Sequence, residues 1–220
     1  MKGSLISSCF AFACTLALGC DPRGVSLGSE EQCVLDARFA AVTVNPKHEP
    51  LSNCAELGDN LLLNSGFETP VVGACQGGFF CEFPAADVDG WDTTGEAQVI
   101  EIWHDGYHDV PAPDGSQFAE LDAMSQDTLS QDVALSPGQL MYWSLLHRGR
   151  NGIESVEVRI GPPDATVSQG IFSSTNDAWY AYSGVYRVGT AETLTRFALV
   201  SRTGTLEGNL VDNIVFAPVQ

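Results

Sequence analysis

From Asn60 onward the chain is a succession of short apolar runs, rich in β-branched and aromatic residues and cut at close intervals by Gly, Pro, Asn and Asp. Runs this short and this punctuated predict strands, since a stable amphipathic helix needs a longer stripe. The predicted strands are Leu61 to Asn64, Ala97 to Trp103, Gln117 to Asp122, Thr128 to Val133, Leu140 to His147, Ser155 to Ile160, Tyr180 to Val188, Thr193 to Ser201 and Asn209 to Phe216. No stretch of ten or more residues carries a helical apolar period. The reading is all-β: a jelly-roll β-sandwich of two antiparallel sheets enclosing one hydrophobic core.

Alternation inside the runs assigns faces, because successive strand side chains point to opposite sides. Ile100 and Ile102 oppose Val99, Glu101 and Trp103, while Ala119 and Leu121 oppose Phe118, Glu120 and Asp122. Met141, Trp143, Leu145 and His147 share one face, against Tyr142, Ser144, Leu146 and Arg148. Val156, Val158 and Ile160 point inward against Glu157 and Arg159. The outward sets therefore mix aromatics with charges, as a sugar-binding face does and as an ordinary solvated sheet also does.

Upstream the pattern is different. Residues 1–19 hold one early Lys2, an apolar stretch from Leu5 to Leu18 and small residues before Cys20, the layout of a secretory signal too short to span a bilayer. Leu16-Ala17-Leu18-Gly19-Cys20 resembles the lipobox of bacterial lipoproteins, which implies that Cys20 is acylated and anchors the protein to a membrane. An ordinary signal peptide cleaved nearby is the alternative. The implied localisation is a secreted, membrane-anchored lipoprotein, periplasmic or on the outer surface. Residues 20–59 repeatedly break regular structure with Pro, Gly and charge, and read as a mostly irregular tether with one short disulfide-clipped element near Val34 to Val44. The sandwich then occupies residues 60–220.

Removing residues 1–19 and acylating Cys20 leaves four cysteines, Cys33, Cys54, Cys75 and Cys81, an even number for an oxidising compartment. Three pairings exist, and short loop closure favours Cys33 with Cys54 and Cys75 with Cys81. Without Lys2 the chain carries 9 basic and 28 acidic side chains, a charge of −19. Such a surface repels nucleic acid and anionic headgroups, leaving the lipid anchor as the membrane contact.

Six segments resemble, in order, the galactose-binding-like jelly rolls that include many carbohydrate-binding modules. They are Asn64-Ser65-Gly66-Phe67-Glu68, Gly90-Trp91, Gly115 to Asp122, Leu129 to Val133 with Ser136-Pro137-Gly138-Gln139, His147 to Arg150, and Val211-Asp212-Asn213-Ile214. The resemblance implies a structural calcium held by the Gly66 carbonyl and the Glu68 and Asp212 carboxylates. It also implies a glycan ligand, either on a sheet face or at a rim. Rings stack on sugars while planar polar groups bond hydroxyls, so the face candidates are Trp103, Glu120, Asp122, Tyr142, Arg148 and Arg159. Tyr107, Trp179 and Tyr180 are rim candidates, and Trp91 and Trp143 belong to the core. The loop His104-Asp105-Gly106-Tyr107-His108-Asp109 gathers two imidazoles and two carboxylates, which either hold a metal or bond around a glycine turn.

No serine sits in a nucleophile elbow, and carboxylate pairs in a chain this acidic do not single out a glycosidase. The expected function is therefore non-catalytic binding of a polysaccharide or cell-envelope glycan. The alternative is a structural or adhesion protein that binds another protein and has no glycan site.

Overall fold

The computed structural model describes residues 57–73, 75–124, 126–202 and 208–220. The signal segment, Cys20, the Val34 to Val44 element and the Cys33–Cys54 pairing lie outside the described residues.

Eleven strands form the described fold: β1 (Phe80–Pro84), β2 (Asp92–Thr93), β3 (Val99–His104), β4 (Gln117–Glu120), β5 (Thr128–Ala134), β6 (Leu140–Arg148), β7 (Glu154–Gly161), β8 (Val167–Ser174), β9 (Tyr180–Arg187), β10 (Leu194–Ser201) and β11 (Leu210–Pro218). They build a six-stranded sheet in the order β1-β3-β4-β11-β6-β9 and a five-stranded sheet in the order β2-β5-β10-β7-β8. Every strand pairing in both sheets is antiparallel.

The alternation read from sequence decides the core. Ile100 and Ile102, Met141, Trp143 and Leu145, Val156, Val158 and Ile160, Phe197 and Leu199 all bury between the sheets. Trp143 pairs across β6 and β9 with Gly184, where an added Cβ would stand 2.6 Å from the indole, so the ring takes the space a side chain would fill.

The chain departs from the predicted elements in two ways. Leu61 to Asn64 is a turn, not a strand: Leu62 and Leu63 donate their N–H groups to the side chains of Asn60 and Gln131, and Asn64 has a left-handed φ of 45°. β1, β2 and β8 were absent from the prediction, and β8 (VSQGIFSS) shows why, since serine and glycine hide its apolar period.

The two ends of the described fold lie side by side. Leu57 bridges Val219, Gly58 N–H donates to Pro218 O at 2.8 Å and Leu61 N–H to Phe216 O at 3.0 Å. Asn60 locks this seam, its Nδ2 donating to Ile214 O at 2.8 Å and its Oδ1 accepting Phe216 N–H at 2.9 Å. A bridge joins Cys75 to Cys81, with Cα atoms 5.2 Å apart.

The outer face of the six-stranded sheet is itself largely buried. Trp103, Val110, Phe118, Leu146, Trp179 and Leu210 form a second apolar layer there, and Tyr142, Val215 and Ala217 a third under Leu57, Val185 and Val219.

Candidate functional site

Strand register places three glutamates in a row on that outer face. Glu82 of β1 lies opposite Glu101 of β3, which lies opposite Glu120 of β4. Glu101 Oε1 accepts the Trp103 indole N–H at 2.6 Å, and Glu120 Oε1 accepts Gly208 N–H at 2.7 Å. Arg150, in the loop after β6, donates from NH1 to both Glu120 oxygens at 2.9 and 3.3 Å while its guanidinium carbon stands 4.9 Å over the Trp103 ring. That arrangement combines a charge-assisted pair with a cation–π contact. One guanidinium thus answers the two inner carboxylates of the row, both nearly inaccessible: Glu101 is 7% exposed and Glu120 is 1%. Burial above all raises both acids above the usual carboxylate range, and each gains from a neighbour, Glu82 beside Glu101 and Glu101 beside Glu120.

An aromatic rim adjoins the row. Tyr107 opens a short 3-10 turn (Tyr107–Asp109) in which His108 and Asp109 take left-handed φ values of 50° and 60°. The Tyr107 ring stacks on Phe79 (5.9 Å between centroids, 21° between planes) and on Phe80 (5.3 Å, 18°), and meets Trp103 edge-on at 4.6 Å. Phe79 is 56% exposed and sits in the loop closed by the Cys75–Cys81 bridge. The polar groups of the loop hold its turn: the His104 ring nitrogen bonds Asp105 O at 3.0 Å, and Asp105 Oδ1 accepts Ala112 N–H at 2.8 Å. His108 packs its ring against Tyr107 and Trp103.

The structure gathers Trp103, Tyr107 and Glu120, with Arg148 on the same face donating to Asn176 O at 2.6 Å. Trp103 and Tyr142 point out of the sheet as predicted but are 0% and 1% exposed, so neither ring is free to stack on a ligand. The second layer covers Trp103 and the third covers Tyr142, because the strand faces are apolar on both sides. Tyr142 lies with Leu57 and Val219, away from the rim. Asp122 lies past the end of β4 in a buried network, accepting from Ser201 Oγ at 2.7 Å and Asn209 Nδ2 at 3.0 Å. Arg159 belongs to the five-stranded sheet and bonds Glu157 at 2.9 Å. Of the other rim candidates, Trp179 is a buried support whose indole bonds Pro111 O at 2.8 Å, and Tyr180 bonds Asp177 at 3.0 Å. Sequence reading missed Glu101, Arg150 and Phe79. Glu101 had a signal in the shared outward parity of Trp103 and Glu101, while Arg150 and Phe79 lie in loops whose placement no period encodes.

Gly66, Glu68 and Asp212 converge. An ideal Cβ on Gly66 would lie 3.6 Å from Asp212 Oδ1, and Asp212 is 0% exposed with Oδ2 buried and without a hydrogen-bond partner. Burial first, then Asp114 and Glu68, push Asp212 up to about 8. An orphaned buried oxygen among like charges fits a hard cation. Glu68 is already engaged, accepting Ser116 N–H and Gln117 N–H on Oε1 and Ser116 Oγ on Oε2 at 2.8 to 3.1 Å. Among the described residues no group of three or more His, Cys, Asp or Glu side chains is arranged as a ready metal cage, so backbone oxygens such as that of Gly66 are needed to complete one.

No family model matches the chain, and no curated protein is similar to it. Solved structures similar to it include carbohydrate-binding modules with a β-sandwich fold. TmCBM61 in complex with β-1,4-galactotriose is 14% identical with a TM-score of 0.47, over 72% of this chain and 98% of that one. Family 16 carbohydrate binding module-2 is 19% identical with a TM-score of 0.44, over 71% and 99%. The C-terminal family 22 module of Clostridium thermocellum Xyn10B is 12% identical with a TM-score of 0.49, over 64% and 93%.

Proposed function

We propose that this protein binds carbohydrate without cleaving it, at the Phe79–Tyr107 rim and the adjoining Glu82 and Arg150 side chains beside the six-stranded sheet. The observation that carries the reading is the stacked rim itself: a half-exposed Phe79 backed by Tyr107 and Phe80, next to planar carboxylate and guanidinium groups. Rings offer flat apolar contact to the C–H faces of a sugar, and the planar polar groups fix its hydroxyls. Cleavage needs two carboxyls flanking the scissile bond with access to it, whereas Glu101 and Glu120 lie beneath Arg150.

Calcium would be held by the Asp212 and Glu68 carboxylates and the Gly66 carbonyl, with Asp114 beside them. There it would supply positive charge to an uncompensated acidic cluster and tie the segment before β1 to β11. Cys20, if acylated, tethers the domain to an envelope membrane, so that glycan is captured close to the cell.

The glycan reading is tested by affinity electrophoresis of the full chain through a panel of neutral polysaccharides. Tyr107→Ala is expected to abolish retention, and Phe79→Ala, which removes only an exposed ring, to weaken it with the urea midpoint nearly unchanged. Absence of retention on every polysaccharide, with adhesion to cells intact, would replace this reading with protein binding. For calcium, a ligand that binds only the folded state stabilises it by about 2.7 kcal/mol at a hundredfold excess over its Kd. Melting temperature should therefore climb with free calcium and stop responding in Asp212→Asn; a chelator without effect on the wild type removes the site.

A further inference from the structure

Strand β1 leads from the aromatic rim to a second feature of different character. Past its far end lies a cavity of about 350 Å³, lined by Pro84, Ala85, Ala86, Trp91, Asp92 and Gln98. It is bounded by the turn after β1 and by the segments on either side of β2, β1 and β2 being edge strands of the two sheets. The volume is within the range of small-molecule sites, which are mostly apolar with a few placed polar groups. Its walls meet that description: three small aliphatic residues and an indole, with one carboxylate and one amide.

The lining is rigidly built. Trp91 stacks on Phe67 at 5.1 Å and donates its indole N–H to Asn64 O at 3.1 Å. Gln98 holds a left-handed φ of 52°, unusual for a residue with a Cβ, and is fixed there by Gly95 O, which accepts from both its backbone N–H and its Nε2. Its own carbonyl accepts Ala85 N–H at 2.9 Å, tying one wall to the other. Charge narrows the occupant. The lining includes Asp92 and no cation, so an anionic ligand is disfavoured and a neutral ring bearing hydroxyl donors is favoured.

Position completes the argument. Phe80 at the rim and Pro84 at the cavity point to the same side of β1 with Glu82 between them, about 13 Å apart along the strand. We infer that the cavity beside Trp91 is a second ligand subsite, which takes the terminal neutral ring of a glycan chain whose body lies along β1 toward the Tyr107 rim. The inference rests on the glycan reading above. It adds that the protein recognises chain ends and not chain interiors alone.

The test uses the full chain labelled with nitrogen-15 and the probes methyl β-glucopyranoside and methyl β-galactopyranoside. One of these should shift the amide signals of Ala86 and Gln98 and the Gln98 side-chain signal, leaving those of Phe79 and Tyr107 less affected. Ala86→Trp, which fills the cavity from an exposed position, should abolish those shifts and weaken binding of a short oligosaccharide about tenfold with an unchanged urea midpoint. Silent Ala86 and Gln98 signals alongside intact polysaccharide retention would overturn the subsite and leave the glycan reading standing. Silence together with no retention would overturn both, and shifts that persist in Ala86→Trp would reduce the cavity to an incidental surface contact.

Discussion

The outward faces of the two sheets use the same residue types and reach opposite electrostatic states. On the five-stranded sheet, Arg196 holds Asp132 through two bonds of 2.7 and 2.8 Å, and Glu157 is shared by Arg159 at 2.9 Å and Arg202 at 2.8 Å. Although burial pushes Glu157 up, the Ser168 bond and the two arginines hold it below the ordinary glutamate range. On the six-stranded sheet Glu101 and Glu120 share Arg150, with Glu82 beside Glu101, and the two buried acids move the other way. Where cations match carboxylates the face is self-sufficient. Where they do not, a proton or a ligand has to complete it, and that face also carries the exposed aromatic rim.

This contrast is most directly attacked by deleting one arginine from each face. Arg150→Ala strands two buried acids and is expected to cost about 3 kcal/mol in urea unfolding at pH 7. Arg196→Ala breaks a pair whose side chains are each about one-third exposed (34% and 33%), and should cost less than about 1 kcal/mol. Equal costs would erase the distinction.

A smaller effect separates the faces by pH. Glu101 and Glu120 bind their proton more tightly folded than unfolded, so their contribution is present in acid and lost as pH rises through their raised values. His147 runs the opposite way: burial lowers it to about 4, so its contribution is present above its unfolded value and lost as pH falls from about 6.5 toward 4. Between pH 6.5 and 8.5 the wild type should therefore lose stability relative to Glu120→Gln, by about 2 kcal/mol. Parallel pH profiles for the two proteins would show that the glutamate pair is ordinary. The smallest change in stability belongs to Phe79→Ala, under about 0.5 kcal/mol for so exposed a ring, yet it should weaken polysaccharide retention markedly in the same gels that test Tyr107.

What the sequence made legible was the parity of the strands. Ile100 and Ile102 against Glu101 and Trp103, or Met141, Trp143 and Leu145 against Tyr142, could be read without coordinates, because period two survives wherever one side is apolar. That parity could not say whether the other side was wet. Trp103 and Tyr142 face outward yet are buried, since Trp179 and Leu57 arrive from distant parts of the chain to cover them. Arg150 is brought over Trp103 by the same kind of long-range closure, which leaves no local trace in composition. β1 was missed because Glu82 and Pro84 interrupt its apolar character, and β2 because two residues carry no period at all.

The seam made by Leu57 to Leu61 against Phe216 to Val219 has a mechanical meaning. A load pulling those two ends apart meets its backbone bonds one after another, as a zipper does, and not all together in shear. Resistance would then concentrate at the Asn60 side chain, which grips Ile214 and Phe216 at once, so Asn60→Ala is the substitution that should let the ends peel under the least force.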